Sequence, residues 1–481
     1  MSEEKVWIIG INGVTGEYLV PPVEQAKIGA VVRGEVGDPD LVRWLRRIWG
    51  VISRPHLGLP MDVDPADVGQ AGWAIVFHED EAAAVKDALE PLIAHRRAQI
   101  GQEKVKVLDY RSSDTWRAWL ARNGIAPGTV DPAKVPYYVL LVGDPTQIPY
   151  RFQHLLDVEY AVGRLSFDTP AEYGRYADSV VEYESAASVP HDKRAVFWAT
   201  RHAFDRATQL SADLLVNPLA DGIPATGSHP AQPGVADRWG YGTLKLSGND
   251  ATKANLEEVF RGKPGTKQPA FLFTASHGVG FPQGHPDQLA AQGALVCQDW
   301  PGFGQIRKDH YLASADLPDD ARIHGLIAFH FACYGAGTPQ RDSFFHEPGK
   351  APPDIADQPF VASLPKRLLA HPQGGALATI GHVERAWGYS IVAPQAGPQI
   401  QPFQNAIGRI LVGQPVGYAA KDFNERYAAL STNLSGLLEE ISFGAQIGDD
   451  ELARTWTERN DAQNYAVVGD PAVRLRVGDM G

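Results

Sequence analysis

Short apolar runs, each closed by glycine or a polar residue and separated by stretches of helical spacing, constrain this chain more than any other feature. Trp73–Phe77, Val105–Leu108 and Tyr137–Val142 are such runs. Between them, Asp80–Ile100 and Asp114–Arg122 place apolar residues at helical intervals. Strands alternating with helices build a parallel sheet covered on both faces. A further helix is expected over Arg175–Ser185. Val189-Pro190-His191-Asp192 reads as a linker, after which the rhythm restarts. Strands are expected at Val196–Thr200, Thr243–Leu246, Ala270–Thr274, Gly325–Phe331, Ala376–Ile380 and Tyr465–Val468, with a strand-like close at Val473–Val477. Helices are expected at Asp205–Leu215, Asn249–Phe260 and Val416–Leu430.

At 481 residues the chain exceeds one ordinary domain. The pattern divides it into an N-terminal appendage over residues 1–70, a first α/β subdomain over 71–190 and a second over 191–481. Within the appendage, Val6–Ile9 reads as a strand. Pro39–Trp49 reads as a short helix, with Asp38 as its N-cap and proline at its first position. The rest of that region has the Gly/Pro content of a lid.

Composition removes several function classes. The formal charge is −13 and no Lys/Arg-rich run is present, which argues against nucleic acid as a ligand. The longest apolar runs are too short to cross a bilayer. Met1-Ser2-Glu3-Glu4-Lys5 is acidic where a signal peptide would be basic and then apolar, so a cytoplasmic protein is expected. Cys297 and Cys333 are the two cysteines, too few for a disulfide framework. His324, His330, His346 and His371 lack the tight spacing of zinc ligands. Gly143-Asp144-Pro145 and Gly469-Asp470-Pro471 have neither the spacing nor the lysine of a phosphate loop.

Two of the apolar strands end differently from the rest. Phe271–Ser276 runs into His277-Gly278, and Gly325–Ala332 runs into Cys333-Tyr334-Gly335-Ala336-Gly337. Chemistry in an open parallel sheet gathers outside the carboxyl ends of its strands. Neighbouring strands would therefore bring one imidazole and one thiol to a shared rim. His277 could exchange protons near neutral pH while the Cys333 thiolate attacks a carbonyl. The backbone N–H groups of Gly278 and Cys333 are the candidate oxyanion hole. Cys297, inside Ala294-Leu295-Val296-Cys297, reads as a packing residue.

Ala275-Ser276-His277-Gly278 and Ala332-Cys333 resemble the catalytic strand ends of the clan that contains caspases, legumains, separases and gingipains. Tyr138–Asp144, Asp157–Leu165, Gly374 through Trp387 and Tyr465–Pro471 resemble the gingipain branch, in the family's order and over roughly residues 73–478. That resemblance implies a caspase-like three-layer α/β/α sandwich and a cysteine endopeptidase acting on proteins, with a preference for cleavage after Arg or Lys. It also implies Glu159 as the acid supporting His277, and Trp387 as a wall of the specificity pocket. Asp168 and Glu172 are the nearest acids for a basic side chain in that pocket.

The expected partners are a protein substrate and an activating or regulatory protein. No cofactor is expected, calcium entering only by family analogy. Regulated proteolysis, as in antiviral defence or programmed death, is the biological role the analogy suggests. Asp221–Arg238 and Thr338–Gln358 are candidate activation or substrate loops. Two rival readings use the same residues: a catalytically silent caspase-like module for binding or regulation, and a thiol-dependent amidase or transpeptidase.

Overall fold

The computed structural model describes residues 5–35, 59–227, 230–262, 267–344, 351–388, 391–393 and 397–480. The helix expected over 39–49 lies outside these residues. Near the amino terminus Gly10–Asn12 forms a short strand, β1. The first half of the large sheet follows as β2 (Trp73–His78), β3 (Val105–Tyr110), β4 (Tyr138–Val142) and β5 (Ala161–Leu165). The second half opens with β6 (His191–Ala199), β7 (Gly242–Ser247) and β8 (Gln268–Ala275). Three short strands come next, β9 (Gly278–Gly280), β10 (Leu295–Val296) and β11 (Tyr311–Leu312). The large sheet resumes with β12 (Ile327–Phe331), β13 (Ala378–His382) and β14 (Tyr465–Gly469).

Ten strands form one continuous sheet in the order β3-β2-β4-β5-β14-β13-β12-β8-β6-β7. Neighbours are parallel everywhere except between β13 and β14, which run antiparallel. The antiparallel pairing of β13 with β14 is the seam between the two halves. What the sequence divides into two subdomains is joined through β14, a C-terminal strand paired in parallel with β5.

Every residue of β2, β4, β5, β8, β12 and β13 is buried, as a sheet with helices on both faces requires. The outermost strands differ: β3 alternates buried and open positions, and β7 is open or half-open throughout. Two helices pack together on the first half, α1 (Ala83–Ile100) and α2 (Pro170–Ser185). From α1, the buried Arg96 guanidinium reaches Glu184 at 2.6 Å and Asp470 at 2.8 Å, and the Trp73 indole donates to Asp470 at 2.9 Å. The Gly469-Asp470-Pro471 turn is thus a buried anchor for the first half.

Several boundaries differ from expectation for identifiable reasons. The sequence 189–192 is no linker, because β6 begins at His191. Residues 416–430 divide into a four-residue turn of helix, Val416–Ala419, and the long helix Lys421–Ser442. Val473–Val477 is not a strand. Both sides of β14 are already paired, and the Val473 carbonyl is taken by the Val416 N–H. The helices Gln401–Leu411 and Asp449–Gln463 complete the C-terminal region. Among the described residues no helix is long and apolar enough to cross a membrane.

Candidate active site

β8 and β12 lie side by side in parallel, with Ala275 paired to Phe331. Two residues beyond that last rung the chain reaches His277 on one strand and Cys333 on the other. A Cβ on Gly278 would come within 1.9 Å of the Cys333 carbonyl oxygen, so only glycine lets these two strand ends touch. The next residue after the thiol, Tyr334, holds φ at 60°, a left-handed conformation that costs a non-glycine residue on the order of 1–3 kcal/mol. Its N–H donates to the Glu384 carbonyl at 2.6 Å, which secures the turn. The expectation that one rim carries both groups therefore holds.

The imidazole's partner is an acid that sequence reasoning missed. The Nε2 of His277 lies 2.5 Å from Oδ2 of Asp205, and both side chains are buried. Asp205 follows β6, the strand beside β8, and caps the short helix α3 (Arg206–Ser211) by accepting from the Ala207 N–H at 3.1 Å. Thr208 donates to its Oδ2 at 2.8 Å, and the Tyr18 hydroxyl donates to its Oδ1. Burial alone would raise the Asp205 carboxyl. The charge of His277 and hydrogen bonds from His277, Tyr18 and Thr208 outweigh it and hold the group well below the usual carboxylate range. The Nδ1 of His277, although buried, makes no hydrogen bond.

Cys333 has 0% exposure, and burial pushes its thiol well above its ordinary pKa. Its Sγ accepts from the Ala386 N–H at 3.2 Å. The remaining side of the thiol faces the amino-terminal strand. A Cβ placed on Gly10 would lie 2.9 Å from Sγ, and the Cys333 N–H donates to the Ile9 carbonyl at 3.3 Å. Gly278 is the register partner of Gly10 in the parallel pairing of β9 with β1. Both nominated oxyanion-hole residues thus meet the Ile9–Gly10 segment.

Trp387 also belongs to this neighbourhood, through its backbone. It bridges Ile8 in antiparallel fashion and donates its N–H to Asp461 at 2.9 Å, while its indole packs against Phe344 at 5.0 Å.

The other three nominated residues lie elsewhere. Glu159 precedes β5, four strand spacings from β8, about 19 Å. Its carboxylate accepts from the Gly128 N–H at 2.9 Å, and burial pushes it up to about 7. It lines a pocket of about 450 Å³ with Tyr137, Lys421 and Glu425, so the supporting role assigned to it falls to Asp205.

Asp168 and Glu172 follow the carboxyl end of β5. That end lies on the same side of the sheet as Cys333: the Tyr150 hydroxyl, just beyond β4, donates to the Phe360 carbonyl at 2.8 Å, and Phe360 pairs with Thr338 shortly after the thiol. Asp168 pairs with Lys366 at 2.6 Å, and Glu172 closes a capping box with Thr169 at the start of α2. The signal that could have found Asp205 is positional: an acid just past the strand that neighbours the histidine strand.

No protein-family model and no curated protein sequence matches the chain. Among solved structures, it is similar to a protease at a TM-score of 0.47 and 14% identity, covering 84% of this chain and 78% of that one. It is similar to the Arg-specific cysteine proteinase gingipain R at 0.44 and 13%, covering 86% and 80%. It is also similar to a Saccharomyces cerevisiae separase–securin complex at 0.30 and 9%, covering 71% of this chain and 16% of that one. The chemistry below rests on the chain's own residues.

Proposed function

We propose that the chain is a cysteine endopeptidase acting on protein substrates, with Cys333 as nucleophile, His277 as proton carrier and Asp205 as the residue that positions the imidazole. The observation that carries this reading is the contact of Gly278 with the Cys333 backbone, at strand ends that also hold an imidazole whose Nε2 is bound by a buried carboxylate.

In this reading the unpaired Nδ1 of His277 takes the thiol proton, and Sγ attacks the substrate carbonyl. The negative charge that develops on the carbonyl oxygen is met by the N–H of Cys333, with the Gly278 N–H on the same rim. His277 then gives its proton to the leaving amine, and water hydrolyses the thioester. Asp205 fixes the ring and stabilises the imidazolium through Nε2. Asp168 and Glu172 remain the acids nominated for selectivity toward Arg or Lys, with Asp168 paired to Lys366 at 2.6 Å.

One observation favours the rival reading of a silent binding module: the thiol is wholly buried beneath the amino-terminal strand. The deciding experiment compares wild type with Cys333→Ala on a peptide library and with chloromethyl ketone probes. The peptidase reading expects cleavage and labelling of the wild type alone. Identical behaviour of the two proteins would sink it. A fluorogenic panel varying only the residue before the scissile bond reads the specificity directly.

A further inference from the structure

Residues Trp7–Gly10 meet the candidate site in the way a peptidase holds a peptide. Substrate strands are commonly held by backbone pairing along a sheet edge. Here the Ile9 N–H donates to the Ala386 carbonyl at 2.9 Å, and the Gly388 N–H donates to the Trp7 carbonyl at 3.1 Å. Ile8 bridges Trp387 between these two rungs in antiparallel direction. The next group along the chain, the Ile9 carbonyl, takes the N–H of the nucleophile itself.

The far side of that carbonyl is held as well. Gly10–Asn12 pairs in parallel with Gly278–Gly280, and the Gly13 N–H donates to the Gly280 carbonyl at 2.8 Å. The chain then returns over the site. Leu19 donates its N–H to the Gly10 carbonyl at 3.0 Å, and Tyr18 sets its ring edge-on to His277 at 5.7 Å. Glycine at position 10 has a specific reason. Any Cβ there would meet Leu19 at 2.6 Å and the sulfur at 2.9 Å, so its absence is what brings the Ile9–Gly10 bond against Cys333.

Resting on the peptidase reading above, we infer that Trp7–Gly10 occupies the cleft as a substrate in cis, and that Cys333 cuts the Ile9–Gly10 bond. A strand with a purely structural role would need neither a carbonyl on the nucleophile's own N–H nor a glycine pressed against its sulfur. The substrate class that follows is a peptide with a branched aliphatic residue on the acyl side of the scissile bond and glycine on the amine side. Ile9 is fully buried where the specificity side chain would sit, and it is uncharged.

The step balances as a hydrolysis. His277 removes the thiol proton, and an Sγ–C bond forms to the Ile9 carbonyl carbon. The C–N bond to Gly10 breaks, with the proton passing from His277 to the Gly10 amine. Water then cleaves the thioester, leaving a carboxylate on Ile9 and restoring the thiol. Residues from Gly10 onward stay paired with β9, while the segment before them is free to leave and open the cleft to other chains.

The test is intact-mass measurement and N-terminal sequencing of the full chain after incubation at neutral pH. Wild type is expected to acquire Gly10 as its first residue at a rate unchanged by tenfold dilution, and Cys333→Ala to remain whole. Ile9→Pro removes the N–H that pairs with Ala386, and is expected to lose this cut while still cleaving added peptides. A wild type whose thiol is active toward added peptides or probes, yet which keeps the residues before Gly10 or is cut at another bond, overturns the inference and leaves the peptidase reading standing. A chain inert toward peptides, probes and its own terminus removes both.

Discussion

The two edges of the central sheet make an instructive pair. One carries the ends of β8 and β12 and the other the Gly469-Asp470-Pro471 turn, and each buries a carboxylate against a base. On one edge Asp470 is met by Arg96 and Trp73, and Arg96 is shared with Glu184, so the charged groups are all engaged. On the other, Asp205 is equally well held, but its partner His277 keeps one ring nitrogen without a hydrogen bond, and the adjacent strand ends in a buried thiol. A saturated network of buried charge rigidifies a fold, whereas an unfilled donor or acceptor in a buried site is a place where chemistry can occur. Burial of charge alone would not have told the two edges apart.

The sharpest way to break this contrast is Asp205→Asn. Wrong orientation of the imidazole and an unsupported imidazolium should lower kcat/KM by about 10²–10⁴-fold, chiefly in kcat, with thermal stability much less affected. Steady-state kinetics on a peptide substrate would show it. An activity loss below threefold would mean that Asp205 is only a helix cap.

The matching change on the other edge, Asp470→Ala, should act in the opposite sense. It leaves Arg96 buried with half its partners, at a cost of about 3–5 kcal/mol in urea unfolding, while the protein that remains folded keeps its catalytic constants.

Smallest is the effect expected of Asp168→Ala. Its side chain is 76% exposed in an ion pair with Lys366, and such pairs contribute at most about 1 kcal/mol. Less than a twofold change in kcat/KM toward Arg or Lys peptides would show that Asp168 takes no part in specificity. A selective loss on basic peptides would support the original assignment.

The amino-acid pattern made the shared rim of His277 and Cys333 legible because both residues stand at the ends of unmistakable apolar strands, and the strand–helix rhythm made the sheet legible for the same reason. Direction was not legible. Periodicity distinguishes a strand from a helix but does not say which way a strand points, and the reversal at β13–β14 depends on residues 465–469 returning between strands far from them in sequence. Asp205 stayed hidden because its role exists only once β6 lies against β8. Val6–Ile9 read correctly as extended chain, but nothing local could announce that its destination was the thiol.

The antiparallel seam also sets an order of assembly. While the chain emerges from the ribosome, β5 and β13 can each form but cannot be joined, since the strand that bridges them lies more than eighty residues beyond β13. Until it arrives, two sheet edges stand open, each able to capture a foreign strand. Completion of the peptidase rim therefore waits on the last strand to be made, and a nascent chain remains a pair of unfinished halves.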